Sequence, residues 1–204
     1  MGNKIVNAHT PVHLFASAAI GDKIYIVGGA NNEVYYFSEM AIDKVQIYDC
    51  NTNIWSYGAP LPNSLCRAAA VATSGIYAPQ RLYVMGGIEA NAYNYTLIYN
   101  PETNTWSNGT DMPTPRGLLG VANVNDQLYA LGGSGKTNSD WSVAVNERYT
   151  PFDYSVGQSS DNLNENTLTT TIIAGVAVAG TVIAVTGITV YHFKHAPAKA
   201  AKSV

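Results

Sequence analysis

Hydrophobic and polar positions alternate along the first 150 residues in short runs of four to six, and three of these runs are near-copies. Each is an aliphatic strand closed by a glycine pair: Ile24-Tyr25-Ile26-Val27-Gly28-Gly29, Leu82-Tyr83-Val84-Met85-Gly86-Gly87 and Leu128-Tyr129-Ala130-Leu131-Gly132-Gly133. A second phrase follows the first two copies, Ile47-Tyr48-Asp49…Trp55 and Ile98-Tyr99-Asn100…Trp106. Pro11, Pro62 and Pro113 are each 51 apart, and Tyr48, Tyr99 and Tyr149 fall 51 and 50 apart, setting a period of about 50 residues. Such a period marks a repeated supersecondary unit that cannot bury its apolar face alone. The glycine pairs end strands where the backbone turns too sharply for a Cβ. Cys50–Asn53 and Pro101–Asn104 have tight-turn composition.

The glycine pairs with the spaced Tyr and Trp resemble kelch repeats over roughly residues 1–150. The resemblance implies an all-β propeller, each blade a four-stranded antiparallel sheet. Its signature positions here are Gly28, Gly29, Tyr48, Trp55, Gly86, Gly87, Tyr99, Trp106, Gly132, Gly133 and Tyr149. In the second unit the strands are expected at Ala68–Ala72, Arg81–Met85, Thr96–Tyr99 and Thr105–Ser107. The third unit has Val143–Tyr149 as its third strand, but no Trp follows Tyr149, so its outermost strand is missing or degenerate. Met1–Val12 reads as the tail of a preceding blade. About three blades do not close a ring, so the chain is expected either to be part of a longer protein or to self-associate. No signal peptide is legible in Met1–Pro11, which fits a missing upstream part.

Composition changes the picture at the C-terminus. Hydrophobic residues make up 47% of the chain and charged ones only 12%, and the apolar excess lies in Leu168–Phe193, which carries no charge. From Ile172 to Val190 a helix would span roughly 28 Å, close to the hydrocarbon thickness of a bilayer. The expected organisation is blades over 1–154, a polar stalk over 155–167, a transmembrane helix over 168–193 and a short basic tail over 194–204. Lys194, Lys199 and Lys202 follow the helix, while Asp153, Asp161 and Glu165 precede it. The positive-inside rule then gives a single-pass protein of the cell membrane, with repeats extracytoplasmic and C-terminus cytoplasmic. A tail-anchored protein with cytoplasmic repeats would break that rule. Small residues Gly175/Ala179 and Gly180/Ala184 have a spacing that permits helix packing. Residues 1–167 hold eight basic and fourteen acidic groups, which argues against nucleic acid.

Candidate chemistry is sparse. Ala130–Thr137 satisfies a loose phosphate-loop pattern, but no helix follows to supply its N-terminus, so it reads as a glycine pair and a loop. Cys50 and Cys66 lie at opposite rims of the expected blade, too far apart for a disulfide. His9, His13, His192 and His195 lack the companions of a metal site, so no metal or cofactor is expected, and no catalytic constellation stands out. Asn94-Tyr-Thr96 and Asn108-Gly-Thr110 are glycosylation sequons. By resemblance to peptide-binding kelch domains, basic residues starting the innermost strands point into the central mouth; Arg67 and Arg116 match. Loops Ala30–Tyr36, Ile88–Tyr95 and Ser134–Trp141 would rim the same face, with Tyr35, Tyr36 and Trp141 as aromatic contacts. The expectation is a non-catalytic recognition module for a protein or glycan ligand at the mouth. The alternative is a kelch-fold enzyme, of sugar-modifying or copper-oxidase type, whose catalytic residues lie on missing blades.

Overall fold

The computed structural model describes residues 5–31, 40–89, 91–135 and 142–155, and the backbone of 176–178 and 181–183. The chain divides into two units, Met1–Gly157 and Gln158–Val204.

Among its described residues the first unit holds three blade sheets and one two-stranded sheet, all antiparallel. Strands β1 (Ala16–Ile20), β2 (Lys23–Val27), β3 (Ala30–Asn31), β4 (Met40–Ala41), β5 (Val45–Asp49) and β6 (Ile54–Tyr57) belong to blade one. Its sheet order is β1-β2-β5-β6, and β3 pairs with β4 beside it. Blade two contains β7 (Ala69–Ala72), β8 (Leu82–Met85), β9 (Thr96–Asn100) and β10 (Thr105–Asn108), in the order β7-β8-β9-β10. Blade three has β11 (Gly120–Val124), β12 (Gln127–Leu131) and β13 (Asn146–Tyr149). The expected strands of blade two are thus present to within a residue or two at their ends. The third blade has three strands among the described residues.

Burial explains the sequence pattern. β8 is buried at all four positions because blade two is flanked on both faces, whereas β12 alternates because only one of its faces is covered. The core lies between blades. Val27, Val45, Leu82, Val84, Leu97 and Tyr99 join the first two blades, and Met85, Met112, Leu119 and Ala130 join the second to the third. Tyrosines meet across each junction, Tyr25 with Tyr99 at 5.9 Å and Tyr83 with Tyr149 at 5.7 Å between ring centroids. Within blades the Tyr–Trp pairs stand at 5.1 Å (Tyr48–Trp55) and 5.0 Å (Tyr99–Trp106).

The second unit departs from expectation. Within 168–193, Val176–Val178 pairs antiparallel with Thr181–Ile183 as β14 and β15. Among the described residues no helix is long and apolar enough to cross a membrane. The continuous helix expected there is not supported: these six positions are extended. Val, Thr and Ile are β-branched and suit an extended backbone as well as an apolar helix. The remainder of 168–193, the stalk beyond Ser155 and the basic tail lie outside the described residues.

Candidate functional site

One end of the blades is organised by the glycine pairs. Gly28 and Gly29 have φ of 61° and 99°, in the left-handed region that favours glycine. A Cβ on Gly28 would strike the Leu65 carbonyl, and one on Gly86 the Arg116 carbonyl. That close approach lets the next blade's entering segment bond to the pair: Gly29 N–H donates to Leu65 O (2.8 Å) and Gly87 N–H to Arg116 O (3.0 Å). Among the described residues Gly132 has no such neighbour; the nearest atom to an added Cβ is Val143 O at 3.6 Å.

Two residues further on, Leu14, Arg67 and Leu118 adopt φ of 54°, 57° and 53°. Arg67 N–H donates to Leu14 O at 2.9 Å and Leu118 N–H to Arg67 O at 2.8 Å. A backbone ladder thus crosses all three blades where their innermost strands begin. Non-glycine residues held at positive φ cost about 1–3 kcal/mol each, and such strain concentrates at functional positions. Phe15 and Leu118 are exposed along this rim, and Arg67 is half-buried. The Arg67 guanidinium reaches back to Ile88 O at 3.4 Å and Cys66 Sγ at 3.5 Å.

The expected convergence of Arg67 and Arg116 is corrected by this register. Arg67 corresponds to Leu118, while Arg116 corresponds to Leu65, since both of the latter carbonyls cap a glycine pair. Arg116 is 0% exposed and pairs with Glu147 Oε2 at 2.7 Å; it also donates to Thr114 O and Ala130 O. It ties blade two's exit to blade three. Tyr35, Tyr36 and Trp141 fall outside the described residues.

A second buried charge escaped the sequence reading. Asp126, in the turn between β11 and β12, is 1% exposed. Its carboxylate accepts from the backbone N–H of Ile76 (3.1 Å), Tyr77 (2.8 Å) and Ala78 (3.2 Å), and from Ser74 through backbone and hydroxyl (2.9 Å). Asn123 Nδ2 adds a further bond at 3.1 Å. Burial alone would raise the Asp126 carboxyl, but these bonds, led by the Ser74 and Tyr77 N–H groups, outweigh it and hold it well below the usual carboxylate range. The loop 73–81 so clamped replaces the two-residue Gly21-Asp22 turn of blade one. The one legible signal was Asn125-Asp126 at a hairpin turn, where both residues have positive φ.

Cys50 is exposed and Cys66 buried, and the two are not bridged to each other. The Cys66 thiol donates to Ile88 O at 3.0 Å. His9 stacks on Tyr57 at 5.3 Å. Of the two sequons, Asn108 and Thr110 are exposed, whereas Asn94 is half-buried and Thr96 buried.

A rim of blades laced by glycine pairs defines a repeat protein of the propeller-blade class. The family described as the kelch motif matches residues 11–62 and 66–113, which are the first and second blades with their entering segments. The chain is 31% identical to Kelch-like protein terF of Aspergillus terreus over 134 residues, 60% of this chain and 27% of that protein. It is 31% identical to human Kelch-like protein 23 over 132 residues, 63% of this chain and 22% of that protein. Kelch-like ECH-associated protein 1A of Danio rerio is 35% identical over 116 residues, 54% of this chain and 17% of that protein. These matches support a kelch-repeat family for the chain, which spans about a quarter or less of the length of these relatives.

Proposed function

We propose that the chain is a non-catalytic protein-binding module whose ligand meets the rim formed by Leu14, Arg67 and Leu118. The ladder that sets Arg67 at the start of an innermost strand carries this reading. Arg67 offers a planar donor fork to a carboxylate, beside the exposed apolar Phe15 and Leu118. The buried Arg116 and Asp126 and the half-buried Glu147 are engaged in bonds that join the blades and turns. Kelch-like relatives, one of them named as ECH-associated, favour a protein ligand over a glycan. Tyr35, Tyr36 and Trp141 are proposed as further contacts from the loops beside this rim.

The test is to pan a displayed random-peptide library on the immobilised full-length chain and measure the enriched peptides by calorimetry. Acidic peptides are expected, weakened at least about tenfold by Arg67→Ala, since a charge-assisted bond contributes roughly 1.5–3 kcal/mol. Arg81→Ala, at an arginine 3.8 Å from the exposed Glu102, should bind as wild type. Equal binding by Arg67→Ala would refute recognition at this rim.

We further propose that residues 168–193 anchor the chain in a membrane as a single helix, with the repeats extracytoplasmic and the tail 194–204 cytoplasmic. The uncharged run and the three lysines after it support this. A two-stranded hairpin is marginal in water, and in hydrocarbon its unpaired edge groups would go unsatisfied, so a bilayer favours the helix. Protease added outside oriented vesicles should digest the repeats and spare a tag at Val204; the reverse pattern would overturn the assignment.

A further inference from the structure

Blades one and two each end in a strand that carries a tryptophan opposite the repeated tyrosine: Trp55 pairs with Tyr48 and Trp106 with Tyr99. In both, the indole N–H donates to a backbone carbonyl of the segment preceding the blade, Trp55 Nε1 to Val6 O (3.1 Å) and Trp106 Nε1 to Ala59 O (2.9 Å). Blade three repeats the tyrosine and the glycine of this socket, and among the described residues it has no fourth strand. Tyr149 stands where Tyr99 does, against Gly109 as Tyr99 stands against Gly58. Thr110 therefore corresponds to Ala59. As far as Ser155 the chain does not return along β13: Tyr154 stacks on Tyr77 at 6.2 Å and Ser155 N–H donates to Tyr77 O at 2.7 Å, leading it to the loop 73–81. Among the described residues β13 is thus the outer edge of its sheet. Beside it opens a cavity of about 270 Å³, lined by Thr110, Met112, Glu147 and Tyr149 among others.

We propose that this edge and cavity bind an extended segment of a partner protein that bears a tryptophan. The segment adds a fourth antiparallel strand to β13, its main chain supplying affinity through the ladder bonds and its side chain supplying selectivity. The indole ring packs on Tyr149, and its N–H is directed at the Thr110 carbonyl. The two filled sockets of the same chain define the occupant: a strand with the pattern of Thr105-Trp106-Ser107, entered by a tight turn. Binding here is separate from the Arg67 rim.

The probe is a fluorescein-labelled synthetic peptide with the sequence of residues 101–109, titrated into the full-length chain and followed by anisotropy. Saturable binding is expected, at least about tenfold weaker for the same peptide with its tryptophan replaced by alanine, since aromatic side chains dominate such contacts. Thr110→Trp, at an exposed position on the cavity lip, should fill the socket and lower the affinity at least about tenfold, while Arg67→Ala should leave it unchanged. No saturation up to about 1 mM peptide, equal binding of the alanine peptide, or unchanged binding to Thr110→Trp would each overturn the proposal. A peptide-free dimer in sedimentation that Thr110→Trp dissociates would assign the edge to a second copy, and so also overturn it.

Discussion

Replacing Asp126 should do more damage than any other single change at a surface turn. In Asp126→Ala the loop 73–81 loses an acceptor for four backbone N–H groups, the Ser74 hydroxyl and the Asn123 amide. Ser74 and Ile76 are exposed, so water can replace the carboxylate there, whereas Tyr77 is half-buried and Ala78 buried. Two orphaned donors at about 1–3 kcal/mol each give a loss of roughly 3 kcal/mol. Holding alanine at a φ of 58° adds roughly 1 kcal/mol. Asp126→Gly separates the two effects, retaining the first and removing the second. Urea unfolding followed by tryptophan fluorescence should show both losses, with a melting temperature lower by roughly 8–16 °C for Asp126→Ala and roughly 6–12 °C for Asp126→Gly. The pH dependence has a fixed sign. Because the folded-state carboxyl lies below its unfolded value, its contribution is complete above about pH 4 and is lost as pH falls further, through the folded value. Wild type should therefore lose more stability than Asp126→Ala between pH 5 and about pH 2. A variant within about 0.5 kcal/mol of wild type, or one with the same acid slope, would refute the clamp.

Two further changes read the blade junctions. Gly86→Ala drives a Cβ into the Arg116 carbonyl and should cost roughly 3 kcal/mol or more, while Gly132→Ala, with only its φ of 58° against it, should cost about 1–2 kcal/mol; equal losses in thermal unfolding would contradict the open third junction. Arg116→Met strands Glu147 and the Ala130 carbonyl and should cost about 3–5 kcal/mol, with Arg116→Met/Glu147→Leu recovering much of it in urea unfolding. A double variant no better than the single one would show that packing, not the ion pair, sets the loss.

The blades were legible because their determinants are local and repeated. A glycine pair is demanded wherever the next blade's carbonyl presses on the strand end, and Tyr and Trp recur because every junction must bury flat side chains. The mouth was read out of register. Arg67 lies five residues after Pro62, and the residue five after Pro113 is Leu118, so the proline spacing itself pointed away from Arg116. Matching by residue type, arginine for arginine, overrode that spacing. Asn125-Asp126 marked a turn but not the clamp, because the donors to Asp126 sit about 50 residues upstream in a loop with no counterpart in blade one. The apolar run 168–193 is rich in Val, Ile and Thr, which serve a membrane helix and a hairpin alike, and periodicity alone does not choose between them.

The most direct measurement of the binding role is hydrogen exchange on the full-length chain, with and without the acidic peptide selected by panning. Protection should be confined to the segments around Leu14, Arg67 and Leu118 and the turns after the glycine pairs, and should vanish in Arg67→Ala. Protection of the outer strands β6 and β10, with the rim unchanged, would contradict recognition at the mouth.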